Sequence, residues 1–588
     1  MTDNNRNMFL AFGLSMLVVM GWLFVQERYF PQPQVPMNAA QNASASAPQA
    51  PNGLPATASA AEKLRPRATA LAESPRIPIE TPTLKGSINL KGARIDDLVL
   101  SQFHQTVDKS SPAVVLYAPE GTAESAYAGY GWAGQGVSLP APGTLWQADG
   151  AKLTPETPVK LHWDNGQGQM FGLTIAVDKN YMFSVTQSVA NHGAAPVSLA
   201  GFAFVSRNFG SVDRTSQAHV GPVGVFDGKV NYDVDYSNLD GQEASFFGKI
   251  FGTSAKPGEN EFTSKGGWVG FGDKYWLSAV IPNQAAQLNA GFRKDGATYR
   301  AGYVAAASQI GAGQTVAVEQ HLFAGAKEVN LLDSYVDGYK IPRLNKAIDW
   351  GWFEVICKPL FHLIHWLFTL TGNFGVAIIL TTFVIRGLMF PVAQRQFASM
   401  AKMRVVQPKM KALQERYKDD KLALQQETMK LYKEEKVNPA AGCLPIFLQI
   451  PVFFSLYKVL SISLEMRHQP FVLWLHDLSV PDPVLFGLFP SVQAALPTFL
   501  ALGILPILLG VSMWVMQKAN PMPTADPAQA QMMALMPWFM MFLFAPMAAG
   551  LQLYYVISNG ITIVQQQWFF HKHPVLKQPV AALASPRK

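Results

Sequence analysis

The sequence predicts a polytopic α-helical membrane protein of six spans, five of them in a C-terminal core, carrying a large all-β domain outside the membrane. Three observations predict it. Only 15% of the 588 residues are charged, against about 25% in an ordinary soluble protein, so much of the chain must sit in lipid. Long apolar runs crowd residues 360 to 570, whereas residues 83 to 330 alternate short apolar segments with turn residues. Lys and Arg cluster in the loops of one side only. The two cysteines, Cys357 and Cys443, lie far apart and form neither a disulfide framework nor a zinc site.

A short N-terminus, residues 1–7, precedes an apolar run at residues 8–25, preceded by Arg6 and closed by Gln26, Glu27 and Arg28, about the length a spanning helix needs. A cleaved signal peptide would carry its small-residue site directly after a shorter apolar core; here Ala43-Ser44-Ala45 comes far downstream, which favours an uncleaved anchor. Residues 26–82, rich in Pro, Ala, Gln and Ser, bury too little apolar surface to order and read as a flexible tether. From residue 83 to 340, segments such as Ala113 to Tyr117 and Phe183 to Val189 read as strands of a β-sandwich. Its scattered histidines show no metal-ligand spacing, which favours a scaffold over a catalytic domain.

Residues 341–372 are rich in Trp, with Leu344 to Leu370 expected as an interfacial amphipathic helix ending at Gly372-Asn373. Spans follow at about 373–393, 443–463, 497–517, 532–546 and 550–570, the last two joined by a tight turn at Ala548-Ala549-Gly550. Six spans put both termini on one side. The loop at 394–440 holds eleven Lys and Arg residues between Arg395 and Lys436, while the loop 464 to 492 has only Arg467. With Lys518 and the basic tail 571–588, every positive cluster falls on one face, which is cytoplasmic; the β domain is external. The net charge of +7 is thus read as topology, not as a sign of sequence-specific nucleic-acid binding.

Arg386 lies inside the second span, thirteen residues or roughly 20 Å from its outer end, where a charge is costly unless water or partners receive it. Snorkelling to the cytoplasmic headgroups is the competing account. Thr382 one turn above and Gly375 on nearly the same face make a small, polar stripe instead. In the last span Tyr555, Asn559, Thr562 and Gln566 recur at helical spacing, flanked by Ser558 and Gln565, and Gln449 in the third span adds another polar group. Such residues are most often interhelical glue; facing a buried Arg, they would also enclose a wet groove. The fifth span carries Met532, Met533, Met536, Met540 and Met541, flexible side chains suited to many apolar shapes. Met536 and Met540, with Phe453 of the third span, are expected to form an apolar slide for substrates. Within the basic loop, Val406, Met410, Leu413 and Tyr417, then Leu422, Met429 and Tyr432 after a turn at Asp419-Asp420, read as a helical hairpin.

The runs GLMFPVAQRQFASMAKMRVVQPKM after Arg386, LYKEEKVNPAAGCLPIFLQIPVFFSLY and GLQLYYVISNGITIVQQQ resemble the YidC/Oxa family of membrane insertases, over about residues 340 to 570. The anchor, tether and β domain are similar in layout to Gram-negative members, whose external domain is a β-supersandwich. The resemblance implies a non-enzymatic insertase and chaperone of the bacterial inner membrane without catalytic residues, cofactor or metal. It further implies that Arg386 lines a hydrophilic groove open to cytoplasm and lipid, with Thr382 and Tyr555 near the substrate path. Nascent membrane proteins, the Sec translocon and the lipid bilayer are the implied partners, and a ribosome contact through the basic hairpin and tail stays open. One departure is a long apolar stretch between Asp482 and Pro506, containing Pro490 and Pro497. A transporter would show internal repeats, which the spans lack; a sugar enzyme would place its function in the β domain.

Overall fold

The computed structural model describes residues 64–208, 219–242, 256–417, 420–435, 444–482, 502–519 and 527–572. The expected first span, most of the tether, Asp419, Cys443 and residues 573–588 lie outside them. The chain divides into two compact units, with the principal boundary between Asp349 and Trp350.

The first unit is built from two antiparallel sheets, which among the described residues hold ten and nine strands. The alternation that predicted strands appears as alternating burial: in Gln169–Val177, Phe171, Leu173, Ile175 and Val177 point into the core. Trp132 of one sheet meets Phe171 of the other edge-on, with ring centres 5.0 Å apart. Several polar groups between the sheets are paired with one another. The Tyr303 hydroxyl donates to Gln320, Gln320 Nε2 to Gln187 Oε1 at 2.8 Å, and Gln187 Nε2 to the Gly131 carbonyl at 2.5 Å. This chain crosses from one sheet to the other and leaves the buried amides with partners.

The ordered domain begins earlier than residue 83. A helical turn at Arg67–Ala72 and an edge strand at Arg76–Glu80 lie within the expected tether. Pro75, Pro78 and Pro82 hid the strand in a proline-rich composition, yet an edge strand tolerates Pro because one row of its N–H groups needs no partner in its sheet. Ile77 and Ile79 are buried there, and Arg76 pairs with Asp96. At the other boundary, the expected helix from Leu344 does not run through. Leu344–Ala347 is a 3₁₀ turn of the β unit, where Lys327 donates to the Ala347 carbonyl at 3.2 Å and Asn345 to Asp333 at 2.6 Å. Arg343 and Gly351, both at positive φ, interrupt the helical path on either side.

The second unit is helical: α1 Glu354–Thr371, α2 Phe374–Arg416, α3 Lys421–Glu434, α4 Leu444–Ile462, α5 Ile504–Ala519, α6 Pro527–Phe544 and α7 Ala549–Lys572. The expected break near residue 393 is absent. Span and first hairpin arm are one 43-residue helix, α2, which holds Pro391 and Pro408 in its interior. No Gly, Asn or capping residue stands between Leu388 and Ala398, and Pro391, the one helix-breaking residue there, is accommodated within the helix. The fourth span's helix begins at Ile504, not 497, and residues 483–501 lie outside the described residues. The fifth span's helix starts at Pro527, where a first-turn proline gives up an N–H that needs no helical partner.

Asp420 caps α3, its Oδ1 accepting from the N–H groups of Leu422 and Ala423 at 3.1 and 3.0 Å. The α2/α3 contact has a small core of Val406, Met410 and Leu431, flanked by Leu413 and Tyr432. Leu422 and Met429, expected on its apolar face, are exposed. A 14-residue helix held by so few contacts is marginal alone. Amide exchange in α3 is therefore expected to be at least about tenfold faster than in α7, as hydrogen–deuterium exchange on the reconstituted protein can measure; equal protection would contradict this packing argument.

Candidate functional site

Arg386 sits on α2 twelve residues past its first residue, or about 18 Å along the axis. Its Nε donates to Ser558 Oγ on α7 at 2.7 Å, and its side chain is only partly buried. Thr382, one turn earlier, is fully buried, and its hydroxyl returns to the Ile378 carbonyl at 2.7 Å. It therefore shares the face of Arg386 without presenting its hydroxyl to an opening.

The polar stripe on α7 divides by partner. Thr562 donates to the Ser558 carbonyl at 2.8 Å, beneath the Arg386 contact. Asn559 turns the other way and donates to Ser512 Oγ on α5 at 2.9 Å. Gln566 is buried, and its Nε2 finds no hydrogen-bond partner among the described residues. Gln449 on α4 donates to the hydroxyl of Tyr554 at 3.2 Å, and Tyr554 is fully buried. Its neighbour Tyr555 is half-buried within an aromatic cluster, its ring centre 4.8 Å from that of Phe544 and 5.9 Å from that of Phe453.

Arg386, Ser558 and Thr562 thus form one polar group, while Gln449, Tyr554, Tyr555 and Phe453 form a second, mixed group. Met536 and Met540 are half-buried on α6, where Met532, Leu535, Trp538 and Phe539 are exposed, and Met541 instead packs inward against Gly510. Sequence reasoning missed Ser512 and Tyr554. Ser512 is a single hydroxyl in an apolar helix and Tyr554 one of two adjacent tyrosines, and neither carries a periodic signal.

The end of the bundle away from the hairpin is closed by hydrogen bonds. Ala549 and Gly550 donate to the carbonyls of Val480 and Leu478 at 2.7 and 2.9 Å. Gln552 Nε2 reaches the carbonyls of Phe544 and Met547 at 2.9 and 2.8 Å, capping the last turn of α6. Asp482 accepts from the N–H of Leu505 at 2.7 Å and from Trp474 Nε1 at 3.0 Å, which fixes the start of α5. The arrangement places a cation and several hydrogen-bonding groups in the middle of the bundle, with one end sealed. Among the described residues no cluster of metal-ligating side chains occurs.

Two family models divide the chain: the YidC periplasmic domain matches residues 76–363 and the 60Kd inner membrane protein matches residues 366–576. The membrane protein insertase YidC of Zymomonas mobilis is 43% identical over 591 residues, covering 99% of this chain and 98% of that protein. The chain belongs to the YidC insertase family. The YidC insertase of Granulibacter bethesdensis is 42% identical, covering 98% of this chain and all of that protein. Membership makes the chain a non-enzymatic membrane protein insertase of the inner membrane, with a β-sandwich periplasmic domain and a helical membrane core. Nascent membrane proteins are its substrates. The periplasmic family model begins at the edge strand Arg76–Glu80, in agreement with the earlier domain start.

Gly375 supplies a test of the closed end. A methyl group at this position would overlap the ring of Phe471. Gly375→Ala is expected to destabilise the solubilised protein by about 1–3 kcal/mol, seen as a lower thermal midpoint. Adding Phe471→Ala should recover part of that loss, and strictly additive losses would contradict the contact.

Proposed function

We propose that the Arg386 group forms a hydrophilic groove that receives the polar tail of a nascent membrane protein, while Phe453, Met536 and Met540 form the apolar slide along which its hydrophobic segment leaves. The single observation that carries this reading is Arg386 itself: a partly exposed cation within the bundle, held by Ser558. A charge at such depth is costly in lipid and is kept where water or a polar guest can reach it. Thr382 and Asn559 support the groove from behind, as packing and interhelical bonding. Gln449 and Tyr555 border it, and Gln566 and Thr562 extend it along α7.

The membrane potential adds about 2.3 kcal/mol per charge per 100 mV for an acidic tail moving outward.

The exposed tryptophans Trp352, just before α1, and Trp366, within it, support placement of this helix at the membrane interface. We place work beside the Sec translocon, and a ribosome contact through the hairpin and tail, within the same reading on family likeness and on basic charge. Part of that charge is satisfied internally, as Lys409 pairs with Glu435 and Lys430 with Glu427.

Arg386→Ala is expected to lower insertion of a substrate with an acidic translocated tail by about tenfold, near 1.4 kcal/mol. Arg386→Lys should retain most activity, because a point charge in water suffices where no bidentate geometry is required. The measurement is insertion into proteoliposomes at matched protein levels. Near-normal insertion by the alanine variant would remove Arg386 from the groove.

A further inference from the structure

The turn that follows α4 holds a bulky residue in a conformation such residues rarely adopt. Leu473 has φ +57°, in the left-handed region that favours glycine, and its side chain is 79% exposed beside Val472 at 49%. An outlier of this kind persists only where its surroundings hold it. Here they do. Phe471 packs against Gly375, its carbonyl accepts from Asn373 Nδ2 at 3.2 Å, and its N–H donates to the Leu475 carbonyl at 2.9 Å. On the far side, Trp474 Nε1 is bound by the buried Asp482 at 3.0 Å. The flanks are fixed inward and the two aliphatic side chains between them are displayed outward.

Asn373 also caps α2, its Oδ1 accepting from the Val376 N–H at 3.1 Å. The turn therefore lies level with the first residues of a membrane-spanning helix, at the end opposite the basic hairpin. Leu370, at the end of α1 and close in sequence to that cap, is likewise exposed. We infer that the 471–475 turn is a membrane anchor, with Val472 and Leu473 inserted into the headgroup and acyl boundary of the periplasmic leaflet. Lipid is the occupant because the exposed pair continues the lipid-facing level set by α2, and because burying aliphatic surface there is favourable without any specific partner.

The test uses the full chain in phosphatidylethanolamine and phosphatidylglycerol vesicles, with Cys443→Ser to clear the labelling background, Cys357 being buried, and an environment-sensitive fluorophore on Val472→Cys. Ser110→Cys, on an exposed loop of the β unit, is the aqueous reference. The expected result is strong quenching at position 472 by lipids brominated near the headgroup, with iodide quenching at least about threefold weaker than at position 110. Leu473→Asp, which tolerates the same backbone, should shift the label at 472 toward iodide access. Equal iodide quenching at both sites would overturn the anchor. So would protection of position 472 from both quenchers, since that outcome means contact with protein instead of lipid.

Discussion

A polar group in hydrocarbon must find its partner within the protein, and the helical unit is organised around that requirement. Where helices end, side chains supply what the missing next turn would have: Asn373 at the start of α2, Asp482 at the start of α5 and Gln552 at the end of α6. Among mid-helix polar residues, Thr382 bonds to its own helix and Asn559 across to Ser512, while the buried Thr381 hydroxyl and Gln566 Nε2 find no partner among the described residues. Arg386 is the costly case because it carries a charge, bonded to Ser558 at 2.7 Å and with its side chain left partly open. The site is best understood as the place where the general rule is relaxed.

The β unit meets a different solvent with a related solution. Water can reach its outer faces, so the groups between the sheets are the ones that need internal partners, and the Tyr303, Gln320 and Gln187 chain supplies several of them. Its edge strand Arg76–Glu80 accepts a proline for the same reason, because an unpaired edge carbonyl or missing N–H costs little where other groups can serve.

Much of this was legible in the sequence. Period and length located the helices, and helical spacing picked out Arg386 and the stripe from Tyr555 to Gln566. What spacing could not supply was direction around the helix. Asn559 and Thr562 lie three residues apart, yet one bonds to α5 and the other to its own backbone. Thr382 shares a face with Arg386 and is nevertheless sealed. Boundaries failed where composition and pattern disagreed: prolines concealed an edge strand, and a helix that runs on through Pro391 joined a span to the hairpin beyond it.

That continuous helix has a mechanical consequence. From Arg386 to Arg416 α2 extends thirty residues, about 45 Å of unbroken axis. One helix thus carries the partly buried cation toward one end and the first arm of the hairpin at the other. A tilt of only about 5° at Arg386 displaces the far end by about 4 Å at that length. Pro391, just over one turn beyond the cation, removes a backbone hydrogen bond and is the natural fulcrum. The hairpin and the residue that bonds Ser558 are therefore joined with no intervening loop, and Pro391 is the place where the helix between them can bend.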